Sequence, residues 1–239
     1  MALRDTGERS PRRERLRRAT VEEIKAVARA QMAAEGSAAV TLRAIAREMG
    51  MTASALYRYF DSREELVTAL ITDAYDALAD AMEAAVDAVP AGRHRDRMLA
   101  AFGAFRAWAL EHPTEFALIF GSPIPGYVAP EETRPAGLRY TDLLTRLLAE
   151  AYAGGALDPA RVDLRVPATL RRQVEAFQRR RGSAELPAPV LAFGLSAWTR
   201  LHGLVTLEVF GHLEPVLGDG TALFGQEMAA IIAQSGLDA

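Results

Sequence analysis

The sequence predicts an all-α chain, with a three-helix helix-turn-helix module at the N-terminus and a larger helical body behind it. Three observations carry this. Half of the 239 residues are apolar, enough for a sizeable core, and Ala, Leu, Arg and Glu dominate where a β protein would alternate Val, Ile and Thr. Apolar residues recur three and four positions apart along most of the chain. Between residues 41 and 60, two short runs of that kind are separated only by Gly50-Met51-Thr52.

Residues 1–14 read as a disordered basic arm: polar, Arg-rich and interrupted by Pro11. Thr20-Val21-Glu22-Glu23 has the pattern of a capping box and opens the first helix, with Val21, Ile24, Val27 and Ala28 on its apolar face and Gly36 at its end. Thr41 caps the second helix. Leu42, Ile45, Ala46 and Met49 form its buried side, and Gly50 follows where a helix end favours positive φ. Thr52 caps a third helix over 53–60, with Leu56 and Phe60 inward and Ala53, Ser54, Tyr57 and Arg58 outward. The small residues at 53 and 54 would let a helix approach a DNA groove closely. Tyr57 and Arg58 would supply donors to phosphates or base edges. The same spacing also suits a plain helical hairpin. A second capping box, Ser62-Arg63-Glu64-Glu65, starts a long fourth helix.

The chain thus divides into the arm at 1–14, a helix-turn-helix domain at 15–62 and a helical body at 63–239. The body reads as helices over about 63–88, 94–112, 113–121, 132–153, 167–181, 188–213 and 221–235. Pro90-Ala91-Gly92 and His112-Pro113 separate the first three. Pro123, Pro125, Pro130 and Pro135 stiffen the loop after 121. Five of the 17 aromatic residues lie at Phe102, Phe105, Trp108, Phe116 and Phe120, with His112 among them; this is either ordinary core or the lining of an apolar cavity. The 188–213 stretch carries only Arg200 and Glu208 as formal charges and is apolar nearly all round, so it must be covered on two sides. One cover is the chain's own core and the other a partner subunit. Phe193, Ala197, Leu201, Leu204 and Glu208 form one stripe on it, and Trp198, His202, Val205 and Val209 another.

The net charge of −3 hides an asymmetry: residues 1–60 hold 12 basic against 7 acidic groups, and residues 61–239 hold 16 against 24. A basic end on an acidic body suits contact with phosphate, and also suits plain solubility. The absence of Cys excludes disulfides, Cys-based zinc sites and thiol nucleophiles. The four His lack metal-ligand spacing, and no nucleophile elbow or phosphate loop occurs, so neither a metal, a cofactor nor catalysis is expected. The uncharged run 186–199 is shorter than a membrane span, and the Arg pairs at 12–13 and 17–18 lack the apolar segment of an export signal. A cytoplasmic protein without membrane contact is expected.

The stretch TLRAIAREMGMTASALYRYFDSREEL strongly resembles the DNA-binding domain of the TetR family of transcriptional regulators. That resemblance implies a homodimer on double-stranded operator DNA. Thr41 and Arg43 would meet a phosphate and a base edge, Thr52, Ala53, Ser54, Tyr57 and Tyr59 would face DNA, and Arg63 would bind phosphate. It also implies that the helices around Phe102, Phe105, Trp108, His112, Phe116 and Phe120 wall an effector pocket. A dimer would form through roughly 167–181, with Phe177, and 188–213, with the stripe Phe193, Ala197, Leu201, Leu204 and Glu208. The run AWTRLHGLVTLEVFGHL resembles the Trp-His-Gly (WHG) subgroup, with Trp198, His202 and Gly203 as its name-giving residues; His202 is then a buried histidine or a ligand contact. The expected function is a ligand-responsive repressor, released from a palindromic operator by a small apolar effector. An activator or a ligand-independent regulator of the same fold is the alternative.

Overall fold

The computed structural model describes residues 11–162, 164–181 and 186–237, which form helices and turns without a strand; one isolated antiparallel bridge joins Leu157 to Leu237. The helices are α1 (Pro11–Glu35), α2 (Leu42–Glu48), α3 (Ala53–Leu56), α4 (Arg63–Asp87), α5 (His94–Glu111), α6 (Pro113–Phe120), α7 (Arg134–Ala153), α8 (Ala168–Arg181), α9 (Ala188–Val209), α10 (Glu214–Leu217) and α11 (Thr221–Ser235). Single 3₁₀ turns occupy Ser37–Ala39 and Glu131–Thr133.

Two expectations about the start of the chain are corrected. Residues 11–14 are not part of an irregular arm but the first turn of α1; residues 1–10 lie outside the described residues. Thr20 is therefore inside the helix and caps nothing: its hydroxyl donates to the Leu16 carbonyl at 3.0 Å. Arginine is a good helix former, so the Arg-rich stretch continues the helix with no apolar periodicity to announce it.

By packing, the chain forms two compact units. The first comprises the chain up to Asp73 together with Thr114–Thr133, and the second comprises Ala74–Pro113 and Arg134–Ala239. This differs from the expected division at residue 62, because α6 and the proline-rich loop pack with the N-terminal helices. Within this unit Lys25 and Arg29 of α1 pair with Asp73 of α4, and Arg29 also reaches Glu115 of α6 at 3.5 Å. The Tyr127 hydroxyl meets Thr68 Oγ1 at 3.0 Å, which ties the loop to α4. Ile24, Ala28, Val40, Ile45, Leu56, Leu66 and Leu70 are buried here.

In the second unit, α5, α7, α9 and α11 pack on one another. Their buried faces are Met98, Phe102 and Phe105; Tyr140, Leu143 and Leu147; Val190, Phe193, Ala197 and Leu201; and Met228, Ile231 and Ile232. Gly194 lets α9 close on α7: a Cβ there would sit 2.7 Å from Leu148 Cδ1. By length and composition α9 would suffice to cross a membrane, yet both its charges are paired inside the chain, Arg200 with Glu227 and Glu208 with Arg106.

Candidate nucleic-acid interface

The α2–turn–α3 element is built from its caps. Thr41 Oγ1 accepts from the Ala44 N–H and Thr52 Oγ1 from the Ala55 N–H, both at 3.2 Å. At the end of α2 the Met51 N–H donates to Ala46 O and the Gly50 N–H to Arg47 O, a Schellman closure that requires the left-handed backbone of Gly50, φ 64°. Leu42, Ile45, Leu56 and Phe60 are buried and hold the two helices down. The third helix is shorter than the expected 53–60: regular helix stops at Leu56, and Tyr57–Tyr59 form turns that carry the chain to Phe60.

What remains on the outside is polar and small. Arg43, Thr52, Ala53, Ser54 and Arg58 are exposed, and Tyr57 is 45% exposed. Thr41 is exposed beside Arg43 at the start of α2. Tyr59 is half-buried under Arg17 of α1, whose guanidinium lies 5.4 Å from the ring centroid. Arg63 is placed differently from a side chain waiting for phosphate. Its Nε donates to Val40 O at 2.7 Å and its Nη2 to Ser37 O at 3.1 Å, so it anchors the α1–α2 connection. No sequence signal marks this, because the acceptors are backbone carbonyls more than twenty residues away.

The description "Bacterial regulatory proteins, tetR family" matches residues 24–70, and "Tetracyclin repressor-like, C-terminal domain" matches residues 98–231, over half of the chain. The chain belongs to the TetR family. It is 34% identical over 232 residues to the HTH-type transcriptional regulator Rv1816 of Mycobacterium tuberculosis, covering 95% of each chain, and equally to Mb1846 of Mycobacterium bovis. Among solved structures it is similar to the putative regulatory protein SCO4313, with 33% identity, a TM-score of 0.75 and coverage of 92% and 98% of the two chains. A protein of unknown function from Rhodococcus sp. RHA1 aligns at 26% identity and a TM-score of 0.65, over 88% and 94%. This TetR-family chain is thus a DNA-binding transcriptional regulator.

The residues expected to wall an effector pocket in this TetR-family protein are divided between the two compact units. Phe102, Phe105 and Trp108 are buried on α5, and His112 at its C-terminal end has its ring 5.4 Å from that of Trp108. Phe116 and Phe120, their rings 5.0 Å apart, belong to the other compact unit. The C-terminal unit holds an apolar crevice of about 20 Å³, lined by Met98, Phe102, Leu148, Phe193 and Trp198 among others. That is far below the size of a ligand pocket. Phe105 instead joins a polar-aromatic group that the sequence did not reveal, with Tyr140 at 6.2 Å and His202 at 6.1 Å between ring centroids. Tyr75 stacks on Tyr140 at 6.3 Å, and Trp198 lies 5.3 Å from His202. Burial pushes the Tyr140 hydroxyl up to about 12 and lowers His202 below its ordinary 6.5.

The folded chain therefore keeps His202 neutral where the unfolded chain would protonate it. This contribution to stability is intact above about pH 6.5 and is lost as the pH falls towards the lowered folded value. Urea midpoints measured from neutral to mildly acidic pH are expected to fall less steeply in His202→Asn than in the natural chain; equal slopes would show that His202 carries none of the dependence.

The stripe assigned to the dimer is also corrected. Phe193, Ala197 and Leu201 are buried within the chain's own core and Leu204 is half-buried. Glu208 is held by Arg106 of α5 in a two-pronged ion pair, Nε–Oε2 2.7 Å and Nη2–Oε1 2.5 Å. The exposed side of α9 is instead Leu195, Thr199, Gly203, Leu207 and Phe210, and Phe177 of α8 is exposed.

Proposed function

We propose that this chain is a cytoplasmic homodimeric repressor of the WHG type that binds a palindromic operator and is released by a small apolar effector. The observation that carries the DNA half of this reading is the exposed row Arg43, Thr52, Ser54, Tyr57 and Arg58 on helices whose other sides are buried. Arg43 is the candidate for two-pronged readout of guanine, and the small residues at 53 and 54 allow α3 to approach the groove closely. Family members bind DNA and usually act as dimers with small-molecule effectors. The partner's place in this reading is the outer side of α9. Leu195, Leu207 and Phe210 are 46%, 44% and 43% exposed there, and Gly203 leaves room for a second helix. The effector of this reading is a small apolar molecule, suited to the aromatic residues Phe102, Phe105 and Trp108 of α5.

Selection of duplexes from a random pool by the full chain tests this. The expected product is a two-fold symmetric site whose half-site centres lie about 34 Å apart or a multiple of that, bound by a species of twice the 25.9 kDa chain mass. Arg43→Ala is expected to weaken that site by about 1–3 kcal/mol and to relax preference at one base pair in each half. An asymmetric site, or a clean monomer bound to it, overturns the reading.

A further inference from the structure

The outer side of α9 is balanced about its own middle. Along the exposed row Leu195, Thr199, Gly203, Leu207 and Phe210, the glycine stands at the centre. Glycine weakens a helix interior, and packing within the chain does not require one here: a Cβ at Gly203 would meet no atom within 4 Å. A missing Cβ at that place suits close approach from outside. Two copies of a helix related by a two-fold axis cross at the same residue, and Gly203 marks it. Charge decides which way they run. α8 packs against α9 and joins its start through residues 182–187, so the end of α8 lies beside the start of α9. That end carries exposed Arg179 and Arg180, and neither forms an ion pair among the described residues. Copies of α9 running in the same direction would bring the two arginine-bearing ends together. Running in opposite directions, each α8 end instead meets the far end of the partner's α9, where α10 begins. There Glu214 is exposed and likewise forms no ion pair among the described residues.

We propose that α10 is an arm that docks on α8 of a second copy, with Val216 and Leu217 against the partner's Phe177 and Glu214 beside the partner's Arg179 and Arg180. The proposal rests on the reading of the outer side of α9 as the partner's place and extends it to a second, separate contact. Gly211, with φ 74°, turns the chain out of α9 and into α10. This four-residue helix buries none of its residues: Val216 is 79% exposed and Leu217 is exposed beside it. The apolar surface continues from Leu207 and Phe210 of α9 without a break in the chain. Phe177 is exposed on α8 three residues before Arg180, so an apolar surface and a basic one adjoin there as Val216 and Glu214 do on the arm. A two-fold dimer makes the contact twice.

The chain has no cysteine, so introduced thiols report contacts without a background. Full-length chains with one substitution each and different tags are co-expressed in pairs, oxidised mildly and run on a denaturing, non-reducing gel. The arm pair is Phe177→Cys with Val216→Cys, and the α9 pair is Thr199→Cys with Leu207→Cys. Both are expected to give a disulfide-linked species of twice the 25.9 kDa chain mass, since a disulfide needs Cα atoms within about 7 Å. Neither Phe177→Cys nor Val216→Cys alone is expected to link to itself. In a second measurement without cysteine, Val216→Asp is expected to raise the dissociation constant of the dimer about tenfold or more, because both arms lose an apolar contact. A link in the α9 pair without one in the arm pair overturns the arm and leaves the pairing of α9. A Val216→Asp dimer as tight as the natural one does the same. Phe177→Cys linking to itself overturns the opposed direction of the helices, and the arm with it. A natural chain that is monomeric at micromolar concentration overturns both the arm and the reading of α9.

Discussion

Leu207→Arg is expected to convert the protein to a monomer of 25.9 kDa at micromolar concentration and to weaken its selected duplex about a hundredfold or more. The reasoning starts from a helix that is apolar on every side. The inner half of α9 is accounted for by Val190, Phe193, Ala197 and Leu201, all buried in the chain's own core. The outer half leaves Leu195, Thr199, Gly203, Leu207 and Phe210 exposed, each four or three residues after the one before. An arginine at 207 sits harmlessly in solvent in the single chain but would be buried without a partner in a dimer. In the proposed dimer both half-sites are engaged at once, so loss of the second subunit would remove the gain from linkage. Gly203→Leu serves as the companion variant, since it blocks close approach of a second helix while adding no charge. Thermal unfolding of the isolated subunit stays within about 0.5 kcal/mol of its original value for these surface changes. Two variants that remain dimeric would move the interface away from α9.

Glu208→Leu is expected to cost about 3 kcal/mol of stability in urea unfolding, at the lower end of what breaking a buried ion pair costs. The side chains of Arg106 and Glu208 are 16% and 11% exposed, so the stranded guanidinium keeps little water. Thr221 Oγ1 at 3.0 Å and Asp219 at 3.8 Å remain near it and limit the loss. Arg106 also lies over the Phe224 ring at 5.1 Å. Adding Arg106→Met keeps an apolar stem there and removes the unpaired charge. The double variant should therefore recover to within about 1 kcal/mol of the natural chain. A double variant as unstable as Glu208→Leu alone would mean that packing, not the charge, is what Glu208 supplies.

Much of the body was legible because its punctuation is chemical. Pro113 starts α6 where its missing N–H costs nothing, and α4 through α8 begin and end within two residues of their expected positions. The turn at Gly50 and the caps at Thr41 and Thr52 were readable for the same reason. The failures have separate physical causes. A helix with apolar residues on all sides carries no periodic sign of which face turns inward, so the face of α9 was misassigned. Glu208 belongs to the core only because of Arg106, 102 residues earlier, and Arg63 is occupied only because two distant carbonyls lie in its reach. The early start of α1 was hidden because arginine forms helix without leaving an apolar stripe.

The N-terminal unit is discontinuous in sequence, and this dictates an order of assembly as the chain is synthesised. The segment up to Asp73 is made first, but Arg29 waits for Glu115 and Thr68 for Tyr127, and neither exists until all of α5 has been added. A ribosome-bound chain stopped within α5 would hold the helix-turn-helix helices without the segment that completes their unit. The two units are thus laid down interleaved rather than one after the other, and the unit that begins first is finished only at Thr133.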